Sequence, residues 1–101
     1  MPKAPSIAKL VKGKGSMTVK AKKQKKKFTG RSVSSYEMEY SLNKYFSPRK
    51  GIKSFGYKKG YIKLKKLKHG KRYYVRIRTV TYVGGEFFYS PWSEVKSVVV
   101  K

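Results

Sequence analysis

Leu67-Lys68-His69-Gly70-Lys71-Arg72-Tyr73-Tyr74-Val75-Arg76-Ile77-Arg78 is the stretch that decides the fold. Leu67 reads as a buried anchor at the end of one strand, and Gly70 lets the chain turn a corner. Beyond the corner, Tyr73, Val75 and Ile77 alternate with Tyr74, Arg76 and Arg78. Strict alternation at a period of two places one face of a strand in the core and the other in water.

The same pattern recurs on both sides of this stretch. Met17, Val19 and Ala21 face inward in Met17–Lys22, and Tyr36, Met38 and Tyr40 do so in the next alternating run. Ile62 and Leu64 are the inward pair of Tyr61–Lys65. Ile7 to Val11 reads as a short first strand and Ile52 to Phe55 as a short edge strand. The long strand runs from Arg72 to Tyr82 and turns at Val83-Gly84-Gly85-Glu86. The last strand starts at Phe87 and is interrupted at Pro91. No segment reads as helix. Short alternating strands separated by Gly-, Ser- and Lys-rich turns predict an all-β, seven-stranded antiparallel Greek-key sandwich. Residues 1–4 read as a linker or disordered start and residues 5–101 as a single domain, long enough to bury a core without staples.

Charge is the dominant compositional feature. The chain has 27 Lys+Arg against 4 acids, a formal net charge of +23, and no Cys. The acids are Glu37, Glu39, Glu86 and Glu94; Asp is absent. Lacking Cys, the chain has neither a disulfide framework nor a thiolate metal site. A field of this sign attracts polyanions such as nucleic acid, teichoic acid or sulfated glycan. It also keeps a β-domain soluble and its strand edges unpaired. Most of the cations are Lys, the exceptions being Arg31, Arg49, Arg72, Arg76 and Arg78, and this suits diffuse attraction better than base readout by the Arg fork.

Leu64-x-x-Leu67-x-x-Gly70-x-x-Tyr73-x-Val75-x-Ile77 resembles the corner between the fifth and sixth strands of fibronectin type III domains. Pro5 with Ile7, Met17-x-Val19, Tyr36-x-Met38-x-Tyr40-Ser41 and Ser90-Pro91-Trp92-Ser93 extend the resemblance over about residues 5 to 100. It implies an immunoglobulin-like sandwich with a tyrosine corner. There Tyr73 is buried, and its hydroxyl bonds to backbone near Leu67 to Gly70. The Lys-rich style is similar to that of bacterial surface-protein members. Two departures stand out. Ala21 occupies the position where the family usually carries Trp, so Phe28, Trp92 or a Tyr is expected to fill the space. The connection from Ala21 to Tyr36 is several residues longer than usual. Both departures are also compatible with an engineered scaffold.

Catalytic signals are weak. His69 is the single His and sits at the corner, where it reads as a turn residue. The thiol–imidazole dyad and the Ser–His–Asp triad lack their components. Gly13-Lys14-Gly15 has no P-loop frame. Glu37 and Glu39 share one strand face, where they are expected to pair with Arg76 and Arg78 as exposed cross-strand ion pairs. No metal or cofactor site is expected.

Binding is the better prospect. The resemblance implies that three loops share one end of the sandwich and present Phe28, Arg31, Tyr57, Tyr61, Tyr82, Phe87, Phe88 and Tyr89. Aromatics and Arg gathered on loops suit a protein partner. Alternation makes Phe88 the outward member of Phe87 and Phe88. No Arg-Gly-Asp integrin tripeptide occurs in the Val83 to Ser90 turn. A second candidate surface, for anionic polymers, comprises Lys20, Lys22, Lys63 and Lys65 with Lys9 nearby. The expected function is a non-catalytic extracellular spacer, adhesion or protein-binding module of a bacterial surface protein, or a scaffold derived from one. The alternative is a small, highly basic protein that binds nucleic acid or other polyanions. No apolar run reaches membrane-spanning length and no signal peptide is visible. A monomer within a longer exported chain is the expected context.

Overall fold

The computed structural model describes residues 4–22, 35–46, 51–56 and 59–101, apart from the side chain of Val83. Among these residues eight strands follow in order: β1 (Ile7–Gly13), β2 (Ser16–Ala21), β3 (Ser35–Ser41), β4 (Gly51–Gly56), β5 (Tyr61–Leu64), β6 (Arg72–Val83), β7 (Glu86–Tyr89) and β8 (Lys96–Val99). They form two antiparallel sheets. One is three-stranded, ordered β1-β2-β5. The other is five-stranded and runs β4-β3-β6-β7, with β8 also paired to β6. The expected all-β sandwich is the observed architecture.

The eighth strand comes from a break in the expected seventh. Both β7 and β8 lie along β6, against its two ends. Proline has no N–H to donate, so the ladder cannot run unbroken through Pro91. Two serines keep the broken segment attached. Ser90 and Ser93 donate their N–H groups to the carbonyls of Thr79 and Ile77, at 3.1 and 2.7 Å. Their hydroxyl oxygens accept the N–H groups of the same two residues, at 2.8 and 2.9 Å.

The core forms where the inward positions of the two sheets meet. Met17, Val19, Met38, Val75 and Ile77 are fully buried, and Tyr36, Tyr73, Leu64 and Val100 nearly so. Ala21 is also buried, and at the same end of the core Tyr36 stacks on Phe55 with ring centroids 5.1 Å apart. Trp92 does not fill the space of the missing Trp. It lies on the outer face of the five-stranded sheet, against Arg76 and Arg78, because the Pro91 break carries it there.

The corner is as the alternation and the resemblance imply. Tyr73 is buried, and its hydroxyl accepts the N–H of Lys68 at 3.0 Å. Gly70 adopts φ 71°, a conformation that costs glycine little. The Gly70 N–H reaches the Val100 carbonyl at 2.8 Å. His69 Nδ1 lies 2.7 Å from the Lys101 carbonyl oxygen, so this side chain ties the corner to the last residue.

Candidate functional site

The outer face of the five-stranded sheet is built from β3 and β6. Their register sets Glu37 opposite Arg78 and Glu39 opposite Arg76. Arg76 donates from Nε and Nη2 to Glu39 Oε1 at 2.8 and 2.6 Å. Arg78 Nε donates to Glu37 Oε1 at 2.9 Å. The expected pairs therefore form, but not as exposed ones. The Glu39 side chain is 0% exposed and that of Arg76 26%. For Arg78 and Glu37 the figures are 24% and 21%.

Aromatic rings cover these pairs. The Arg76 guanidinium lies over Phe46 at 4.4 Å and over Trp92 at 4.5 Å. Arg78 lies over Trp92 at 4.4 Å and over Tyr89 at 4.3 Å. Each guanidinium is thus held between two rings, with Trp92 shared. A cation over an aromatic face gains from the ring quadrupole, more so when partly desolvated. Phe46 takes a left-handed φ of 59°, unusual for a bulky residue. The turn before it is fixed by Asn43, whose Oδ1 accepts the Tyr45 N–H at 2.7 Å and whose carbonyl accepts the Phe46 N–H at 2.9 Å.

At the Tyr89 end the stack opens into an exposed aromatic cluster. Tyr82, Phe87 and Tyr89 are 54%, 60% and 46% exposed. Tyr82 and Phe87 lie 4.8 Å apart, and Phe87 and Tyr89 6.4 Å apart, between ring centroids. Phe88 is the exception. The register pairs Phe87 with Tyr82 and Phe88 with Thr81, a buried residue. The two-residue turn at Gly84-Gly85, both with positive φ, sets this parity. Phe87 is therefore the outward ring and Phe88 the half-buried one, the reverse of the expectation.

The strand ends that bound the three loops converge at this end. The Ala21 N–H meets the Gly60 carbonyl at 2.8 Å, and Ser35 is paired with both Gly56 and Val80. Phe28, Arg31 and Tyr57 lie outside the described residues. Tyr61 is exposed but lies on the other sheet.

That other sheet carries the predicted cations. Lys20, Lys22, Lys63 and Lys65 are all exposed. Lys9 faces Lys20 across β1 and β2, and Lys20 faces Tyr61 across β2 and β5. Trp92 and Phe46, which cover Arg76 and Arg78, are the residues of this face that the alternation does not place there. Ser90-Pro91-Trp92-Ser93 marks Trp92 in the sequence, and no pattern marks Phe46. Among the described residues, no three His, Asp or Glu side chains are grouped so as to hold a metal ion.

No protein-family model matches the chain, and no curated protein matches it in sequence. Solved structures do. One described as a myokine structure aligns over 99% of this chain and 98% of its own, with TM-score 0.74 and 17% identity. The FN1–FN3 domains of chicken CNTN1 align over 99% of this chain and 31% of theirs, with TM-score 0.75 and 17% identity. A β-1,2-glucanase from Parabacteroides distasonis aligns over 97% of this chain and 12% of its own, with TM-score 0.76 and 14% identity. At such identities the likeness is one of fold. Together with the buried Tyr73 corner and the two antiparallel sheets, it shows that this chain has a fibronectin type III-like sandwich fold.

Proposed function

We propose that this chain is a non-catalytic module of a bacterial surface protein that binds a protein partner through the exposed rings of Tyr82, Phe87 and Tyr89. The observation that carries this reading is the cluster itself. Three neighbouring aromatic side chains are about half exposed on one sheet face, and Tyr89 lies against Arg78, which also lies over Trp92. Rings held in place before binding lose little conformational freedom on contact, and aromatics dominate many protein interfaces.

The fold also suits a spacer in a longer chain. Ile7 opens β1 at one end of the three-stranded sheet, opposite Ala21. Lys101 lies at the other end of that strand, where its N–H reaches the Gly13 carbonyl at 3.3 Å and its carbonyl accepts the Gly15 N–H at 2.8 Å. Entry and exit at opposite ends let successive domains string in line. The Lys-rich surface and the Ser-Pro-Trp-Ser segment favour a bacterial, extracellular setting.

The test is an array of extracellular protein domains probed at 150 mM salt with the wild-type chain and with Phe87→Ala. A partner that binds the first and loses at least about 5-fold in affinity for the second supports the reading. Partners indifferent to Phe87 would refute it.

A further inference from the structure

The charge of this protein is not spread evenly over the sandwich. Glu37 and Glu39 lie on β3, Glu86 opens β7, and Glu94 lies between β7 and β8. All four acids therefore belong to the five-stranded sheet and its connections, and two of them are occupied by Arg76 and Arg78. The three-stranded sheet has no acid. On it and its flanking turns Lys9, Lys12, Lys14, Lys20, Lys22, Lys59, Lys63, Lys65, Lys66 and Lys68 are all exposed.

The strand register gives this face a pattern. One row across the three strands is Lys9, Lys20 and Tyr61. The next is Val11, Thr18 and Lys63. Neighbouring strands lie about 5 Å apart, so the row presents two ammonium groups beside one ring. Tyr61 is 44% exposed, and Lys59 Nζ stands 5.0 Å from its ring centroid. Lys59 thus lies over one face of the ring, and Lys20 flanks the ring from the adjacent strand.

We infer that the outer face of the β1-β2-β5 sheet is a binding site for single-stranded nucleic acid, with Lys9, Lys20 and Lys63 on phosphates and a base stacked on Tyr61. This goes beyond the protein-binding reading and uses the opposite sheet. The chemistry is complementary in two respects. Lysine ammonium groups are compact point charges that meet phosphate without bidentate geometry. An exposed ring beside them offers a stacking platform, which is sequence-tolerant because every base has a π-face. A duplex keeps its bases stacked on one another and cannot offer one to Tyr61. A second copy of the chain is repelled by a net charge of +23.

Fluorescence anisotropy with a labelled oligothymidylate, across a salt series, tests this. Two triple variants carry equal net charge. Lys9→Gln/Lys20→Gln/Lys63→Gln alters the proposed face, and Lys44→Gln/Lys53→Gln/Lys96→Gln alters exposed lysines elsewhere. Each ammonium–phosphate pairing removed from a single-strand complex lowers the log–log salt slope by about 0.7, so the first triple should reduce it by about 2. The second should leave it nearly unchanged. Tyr61→Ala should weaken oligothymidylate binding by about 5-fold or more, and Tyr61→Phe should restore it. Heparin, which carries charge but no bases, should be indifferent to Tyr61→Ala. Equal loss in the two triples would mean that net charge acts from no particular site, and would overturn the proposal. So would oligothymidylate binding that ignores Tyr61, since the face would then be a general polyanion surface. Melting curves of all four variants, expected to match wild type, confirm that each is compared in its folded state.

Discussion

Removing the Arg76 guanidinium while keeping Glu39 should be among the most damaging polar substitutions in this protein. Arg76→Met retains the apolar stem between Phe46 and Trp92 but takes away the charge that neutralises a carboxylate with 0% side-chain exposure. Breaking a buried ion pair from one side typically costs about 3–5 kcal/mol, because the remaining charge stays out of water. Arg76 itself is 26% exposed, and this partial screening points to the low end, about 3 kcal/mol. For a domain of this size that corresponds to a fall in melting temperature of roughly 12–24 °C. The double variant Arg76→Met/Glu39→Met removes both charges, and should lie within about 1 kcal/mol of wild type. Urea denaturation of the single and double variants, with unchanged m-values, measures both numbers. A loss under about 1 kcal/mol for Arg76→Met would mean that the pair behaves as an exposed one. A double variant as unstable as the single would show that the loss comes from packing rather than from the stranded charge.

Other substitutions probe the corner, the break and the cluster. Tyr73→Phe keeps the buried ring but loses the acceptor for the Lys68 N–H, and should cost about 1 kcal/mol, with faster amide exchange at Lys68. Ser93→Ala leaves the Ile77 N–H without its side-chain acceptor in a buried setting, and should cost about 1–3 kcal/mol by urea denaturation. Phe88→Ala should lower the melting temperature more than Phe87→Ala does, because Phe88 shares the inner face of the sheet with Thr81 whereas Phe87 is 60% exposed.

The sandwich is legible in the sequence because its signals are periodic. Tyr73, Val75 and Ile77 alternate with polar residues over an uninterrupted strand, as do Met17, Val19 and Ala21, and every one of them is buried. The pairing of Glu37 and Glu39 with Arg76 and Arg78 follows from the same parity. The covering of those pairs does not. Phe46 comes from a turn and Trp92 from a broken strand, and neither segment has a period from which a face can be read. Matching Trp92 to the gap at Ala21 is a match by volume that ignores where Pro91 sends the chain. Phe88 is misplaced by alternation for a related reason. A two-residue turn with both glycines at positive φ preserves a parity that counting through the turn loses. On the other sheet the outward lysines are evident from alternation, but the row of Lys9, Lys20 and Tyr61 depends on register between strands far apart in sequence.

The most direct test of the binding role is the salt dependence of affinity for a protein partner captured on the array, with the wild-type chain beside Tyr82→Ser/Phe87→Ser. Contact through the exposed rings of Tyr82 and Phe87 predicts an affinity that changes little between about 50 and 200 mM salt, a range over which surface charge is increasingly screened. It also predicts at least a tenfold loss in the double variant, corresponding to about 1.4 kcal/mol, with folding intact. An affinity that collapses with added salt and is the same in the double variant would contradict this, and would assign the binding to the lysines alone.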